Sequence, residues 1–202
     1  MSLAVCLIAS EVAPLSKTGG LGDVVGALTR YLHDAGHDVR VFTPFYTSID
    51  RSGLELRPVD FLQGVPLHVG PHQYRYAAVK ARLPGSDAFV YLIDCPVLYG
   101  RPAIYTTDVD EHLRFLALTR AAIECCQRMA WSPRIFHCND WHTSFGPLLI
   151  RHGYNWDRLF HPTRTVLTIH NLGYQGIFGA DTAEDVGLGP KSYLLHQDDL
   201  RA

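Results

Sequence analysis

Two apolar patterns alternate along this chain, and each change of pattern marks an element. Leu3 to Ala9 is an unbroken run of Leu, Ala, Val, Cys and Ile, which predicts a central strand buried on both faces of a parallel sheet. From Gly20 to Ala35 the apolar residues Leu21, Val24, Val25, Leu28, Leu32 and Ala35 recur every three or four positions. That spacing predicts a helix with one face on the sheet, stopped at Gly36. A second strand is expected from about Asp38 to Thr43. Alternating β-branched and aromatic segments follow at Leu54 to Phe61, Tyr74 to Arg82 and Phe89 to Ile93, punctuated by Gly64, Pro66, Gly70-Pro71 and Pro84-Gly85, so short strands or hairpins are predicted there. The helical period returns from Val109 to Ala130, through Leu113, Leu116, Ala117, Ala121 and Cys125, and Trp131-Ser-Pro133 ends it. A strand at Arg134 to Cys138, a helix at Thr143 to His152 and a strand at Thr165 to Ile169 complete another β-α-β unit. The polar stretch from Asp181 to Ala202 finishes no further unit, so residues 1–180 read as one α/β domain and 181–202 as an incomplete tail.

Composition narrows the function classes only slightly. At 202 residues with 47% hydrophobic content, the chain can bury one sizeable core. A net charge of -2 gives no electrostatic reason to expect nucleic acid. The apolar N-terminal run is too short for a membrane span and lacks a basic flank, so no membrane association and a cytoplasmic location are expected. The five cysteines, at 6, 95, 125, 126 and 138, form no C-x-x-C pair. Buried free thiols fit them better than zinc or disulfides.

The chemistry gathers in the loops. Lys17-Thr-Gly-Gly-Leu-Gly-Asp23 places a cation and three glycines between the first strand and the first helix. There the helix amides can meet an anion and the absent Cβ atoms admit close approach. It is not a dinucleotide fingerprint, because the glycine required at position 25 is Val25, and no G-x-x-x-x-G-K-[ST] string exists. Asn139-Asp140-Trp141-His142 and His170-Asn-Leu-Gly-Tyr-Gln-Gly176 each follow a predicted parallel strand, so all three loops converge on the edge where open α/β sheets bind ligands.

Five strings in order, Ser10-Glu11-Val-Ala-Pro14, Lys17 to Asp23, Leu98-Tyr99-Gly-Arg-Pro102, His137-Cys-Asn-Asp140-Trp-His142 and His170 to Phe178, resemble the bacterial glycogen synthase and plant starch synthase family. The resemblance implies a retaining glucosyltransferase of the GT-B architecture, of which this chain would be the N-terminal half: a Rossmann-like three-layer α/β/α domain with a mainly parallel sheet. It implies glucose transfer from ADP-glucose or UDP-glucose to the non-reducing end of an α-1,4-glucan, without a metal or other cofactor, in the cytoplasm or, in a plant, the plastid. It places Lys17, Gly19, Gly20 and Asn171 at the donor, His170 and Asp140 at the reacting centre, and Glu11, Asp23 and Tyr99 in the sugar or acceptor site.

Each assignment has a plainer alternative. Asp140 is a suitable N-cap for the helix after it, His170 a hydrogen-bonded strand-end histidine, and Trp141 and Tyr174 packing residues instead of sugar platforms. His137 and His142 lie off the spacing of a helical zinc pair and are read as structural. Where the family has Asp-Asn, this chain has Asp110-Glu111, whose role the sequence leaves open. The family's second half, with its base pocket, is absent, so the chain is expected to be an excised domain, inactive alone. Two competing readings are a standalone glucan-binding module and a GT-B enzyme with another donor or acceptor.

Overall fold

The computed structural model describes residues 2–187, without the side chains of Ala180 and Asp181. Eight strands, β1 (Ala4–Ile8), β2 (Asp38–Pro44), β3 (Arg57–Pro58), β4 (Val65–Val69), β5 (His72–Arg82), β6 (Phe89–Asp94), β7 (Ile135–Asn139) and β8 (Arg164–Thr168), form a sheet in the order β3-β5-β6-β2-β1-β7-β8, with β4 paired to β5. Strands β6, β2, β1, β7 and β8 are parallel, and β5 with its partners β3 and β4 forms the antiparallel flank. Cys6, Leu7 and Ile8 of β1 are fully buried, as an all-apolar central strand requires. All five cysteines are buried and free.

Helix α1 (Gly20–Asp34) crosses from β1 to β2. Its core face is rotated from the predicted one: Leu21, Val25 and Thr29 are buried while Val24 is 47% exposed. Thr29 tolerates burial because its hydroxyl donates to the Val25 carbonyl at 2.7 Å. Gly26 permits this packing, since a Cβ there would lie 2.4 Å from the Ala13 carbonyl oxygen. One-turn α2 (Pro96–Tyr99) and long α3 (Glu111–Arg128) return the chain to β7, and α4 (Asp140–Thr143) and α5 (Gly146–Leu148) lead to β8.

Three expectations need correction. The strand predicted over Leu54 to Phe61 shrinks to Arg57–Pro58 followed by a 3-10 turn at Asp60–Leu62, and β4 lies where Pro66 had been read as punctuation. Pro66 is accommodated because β4 pairs only with β5. The single helix predicted over Thr143 to His152 is broken into α4, α5 and a π turn at Leu149–Gly153, with Pro147 inside the stretch.

Ala180–Val186 is a 3-10 helix docked on the body. Asp185 accepts from His72 Nε2 at 3.0 Å and His112 Nε2 at 2.7 Å, and Arg120 donates to the Val186 carbonyl at 2.6 Å. Residues 188–202 of the predicted tail lie outside the described residues.

Candidate functional site

The chain runs outward from β1 to β2 on one side and returns to β7 on the other, so the order of the parallel strands reverses between β1 and β7. Loops beyond the carboxyl ends of such neighbours splay apart and leave a crevice. Asn139, the last residue of β7, spans it by donating its amide to the Ile8 carbonyl at 3.1 Å. Its Oδ1 is then the acceptor for His170 Nε2, at 2.9 Å. This fixes a neutral His170 as the Nε2–H tautomer and leaves Nδ1 to accept a hydrogen bond. The next residue, Asp140, has φ 56°, in the left-handed region that Asp tolerates better than most residues. Asp140 Oδ1 accepts from the His170 backbone amide at 2.6 Å. It is therefore no N-cap of α4: that position belongs to Asn139, and no side-chain cap bond forms. His170 and Asp140 thus come together as one hydrogen-bonded unit across β7 and β8.

The glycine loop is organised from below by Glu11. This carboxylate is only 2% exposed. Oε2 accepts from the Thr18 amide at 2.5 Å and the Gly19 amide at 3.3 Å, while Oε1 accepts from the Thr18 hydroxyl at 2.8 Å and the Tyr105 hydroxyl at 2.5 Å. Glu11, which the resemblance puts in the sugar site, has four donors and almost no surface in this chain, and it holds the loop from below. Lys17 and Asp23 are brought together, but by an ion pair with each other at 2.7 Å, both about half exposed. Gly19 and Gly20 face open space, whereas Gly22 sits 3.1 Å, measured from a built Cβ, from the Ser16 carbonyl oxygen. The first two leave the loop open to an approaching group, and the third serves packing.

Two other candidates stand apart. Tyr99, which the resemblance puts in the sugar or acceptor site, is 1% exposed in this chain and donates to the Arg114 carbonyl at 2.8 Å. Asn171 turns its Oδ1 to the Gly173 amide at 2.9 Å, shaping its own turn. The residue that does connect the loops is Tyr105, which the sequence reading passed over. Its hydroxyl meets Glu11 and lies 2.8 Å from Ser10 Oγ, and its ring stacks on His142 at 4.8 Å. Burial, first, and the bond to Glu11 push its phenol well above the ordinary tyrosine range, so it stays a proton donor. Nothing in the local string around Tyr105 marks it; only its position after the Arg101-Pro102 turn hints at a role. Asn139, by contrast, stood inside a motif already singled out.

Flanking histidines are held neutral. His137 Nε2 lies 2.7 Å from Thr168 Oγ1, and burial, with nearby His170 adding to it, lowers its pKa. His142 is pushed down to about 3 by burial and by the Arg114 charge. Trp141 sits within an aromatic cluster, edge-on to Phe115 at 5.4 Å and tilted on Phe178 at 5.3 Å, with Gly176 against its face. Tyr174 remains 74% exposed.

A sheet whose strand order reverses beside β1, with polar loops gathered over the reversal, defines a Rossmann-like α/β domain. The model of the starch synthase catalytic domain matches residues 4–202. Glycogen synthase of Aeromonas salmonicida is 40% identical over 183 residues, covering 89% of this chain and 37% of that protein. Glycogen synthase 1 of Geobacter sulfurreducens is 40% identical over 193 residues, with 93% and 38% covered. Among solved structures, the catalytic domain of starch synthase IV from Arabidopsis thaliana, bound to ADP and acarbose, superimposes with a TM-score of 0.86 at 29% identity, covering 98% of this chain and 40% of that one. The chain belongs to the starch synthase catalytic domain family. It spans about two-fifths of the length of the relatives it matches.

Proposed function

We propose that this chain is the N-terminal, acceptor-side half of a retaining glucosyltransferase that moves glucose from ADP-glucose to the non-reducing end of an α-1,4-glucan. The observation that carries the reading is the pairing, at one reversal of strand order, of an open glycine loop bearing Lys17 with the Asn139–His170–Asp140 unit. The relatives named glycogen synthase, and the neighbour solved with ADP and acarbose, support the choice of substrates.

The division of labour follows from charge and tautomer. A donor diphosphate displaces Asp23 from Lys17, whose flexible ammonium then neutralises charge growing on the departing nucleoside diphosphate. His170, fixed by Asn139, offers Nδ1 to a hydroxyl of the donor glucose, and Asp140 holds the His170 backbone in register. Around the loop, however, Glu11 and Asp23 outnumber Lys17, so these three side chains sum to one negative charge where an anion must sit. Tight donor binding therefore needs cations from the remaining part of the longer protein, and this domain is inactive alone. No cofactor or metal enters the scheme. A cytoplasmic location belongs to the proposal; among the described residues no helix is long and apolar enough to cross a membrane.

The test is glucosyl transfer by the full-length protein to maltoheptaose, with ADP-glucose and UDP-glucose compared. Transfer with a preference for ADP-glucose is expected. Absence of transfer from either donor would overturn the reading.

A further inference from the structure

The four donors on the buried Glu11 carboxylate are divided unequally. The Thr18 amide, the Thr18 hydroxyl and the Gly19 amide all belong to the glycine loop that the carboxylate supports. Among the described residues, Tyr105 is the one donor from elsewhere. A carboxylate bonded to the loop alone would move with it. The Tyr105 hydroxyl therefore decides where the Glu11 side chain, and with it the glycine loop, stands relative to the rest of the domain. Its bond to an ionised acceptor belongs to the stronger class of hydrogen bonds.

Counting protons fixes the direction of this chain of hydroxyls. Tyr105 has one hydroxyl proton and gives it to Glu11 Oε1 at 2.5 Å. Ser10 Oγ, 2.8 Å from the same phenol oxygen, is then the donor and Tyr105 the acceptor. Ser10 is fully buried, and its carbonyl accepts from the Tyr46 hydroxyl at 2.9 Å, so the start of the chain is itself held. Each bond polarises the next, from Ser10 through Tyr105 to Glu11.

The ring of the same residue faces the other half of the rim. It stacks on His142 at 4.8 Å with the planes 25° apart. His142 belongs to α4, whose first residue, Asp140, holds the His170 amide. Tyr105 thus spans two loops that must act on one donor molecule, with its hydroxyl on the side of Lys17 and its ring on the side of Asp140. Displacing a reacting group by about 1 Å can cost about a hundredfold in rate.

We propose that Tyr105 is a positioning residue for the transfer reaction, acting through Glu11 to set the glycine loop where Lys17 meets the donor diphosphate. Its link to glucosyl transfer rests on the function proposed above; its place as a strut between the two loops does not.

The test compares the full-length protein with Tyr105→Phe, which keeps the ring and loses the hydroxyl, with Ser10→Ala, which removes the donor behind it, and with the double variant. Tyr105→Phe is expected to lower kcat/KM for ADP-glucose about tenfold while KM for maltoheptaose stays within about twofold. General loosening of the domain would not produce that split. Ser10→Ala should lower donor kcat/KM by about threefold, and should cost nothing further in the Tyr105→Phe background because its effect passes through the phenol. Hydrogen–deuterium exchange reads the strut without turnover: the Thr18 and Gly19 amides should exchange about tenfold faster in Tyr105→Phe, with the β1 and β7 amides unchanged. Donor kcat/KM within about twofold of wild type, equal losses for donor and acceptor, additive losses from the two substitutions, or unchanged Thr18 and Gly19 exchange would each overturn the proposal. Absence of transfer by the wild-type protein sinks the function instead, and the exchange rates then decide the strut: faster exchange in Tyr105→Phe upholds it, and equal exchange removes it.

Discussion

Glu11 uses both carboxylate oxygens on the loop that carries Lys17, so the two residues affect different quantities. Lys17→Ala in the full-length enzyme removes one exposed charged contact. It should lower donor kcat/KM by about 1–3 kcal/mol at 25 °C, five- to 150-fold, with an unchanged melting temperature; an unaltered kcat/KM would remove Lys17 from the donor site. Glu11→Ala strands buried donors and should cost stability as well, about 1–3 kcal/mol by urea denaturation. A third prediction concerns pH. The folded-state pKa of His142, at about 3, lies below the ordinary histidine value, so between about 6.5 and 3 the unfolded chain binds a proton that the folded chain does not. Stability therefore falls as pH drops through that window, by on the order of 1 kcal/mol per unit from this residue. In chemical denaturation between pH 7.5 and 5, His142→Phe should flatten the slope, and an identical slope would contradict the assignment. At this scale the motifs in the sequence picked out residues that share one edge of the sheet, since Lys17, His170 and Asp140 all reach the rim. The burial of Glu11 and Tyr99 was not legible, because a side chain's solvent exposure depends on what packs above it.

At the scale of elements, the loop from Arg101 to Asp110 shows how a local departure is absorbed. Glu111, where the family has an amide, accepts from Arg114 at 2.7 Å and from the Thr106 amide and hydroxyl at 3.0 and 2.6 Å. Arg114, wholly buried, also donates to the carbonyls of Leu98 and Ile104 at 2.8 and 2.9 Å. Arg101 clamps Asp110 with two bonds, at 2.9 and 2.6 Å. These bonds hold the segment that delivers Tyr105 to Glu11. Arg114→Met should leave Glu111 buried beside an apolar side chain and cost about 3–5 kcal/mol in denaturant unfolding. A loss below 1 kcal/mol would mean the pair is dispensable. Strands and long helices were legible here because their apolar period is a local property. The broken helix after Asp140 and strand β4 were not: the apolar period runs on through Pro147, which interrupts the helix, whereas Pro66 looks like a stop but is accommodated by pairing to β5 alone.

For the whole molecule, the informative surface is β8. Val166 and Leu167 are 40% and 42% exposed, although parallel strands are ordinarily covered on both faces. Relatives more than twice as long supply chain that would cover them. Hydrogen–deuterium exchange of the β8 amides should be markedly slower in the full-length protein than in this chain alone. Equal exchange rates would place the remaining part of the protein elsewhere.

The sequence by itself determined the α/β class, the central strands, the family and the three loops that meet at the sheet edge, because these rest on local periodicity and on short strings of chemistry. Tertiary structure alone decided the rest. It turned Glu11 inward, buried Tyr99 and brought Tyr105 from a loop more than ninety residues away to Glu11. Those outcomes depend on which distant groups exclude water from one another, and that is a property of packing in space that no spacing along the chain records.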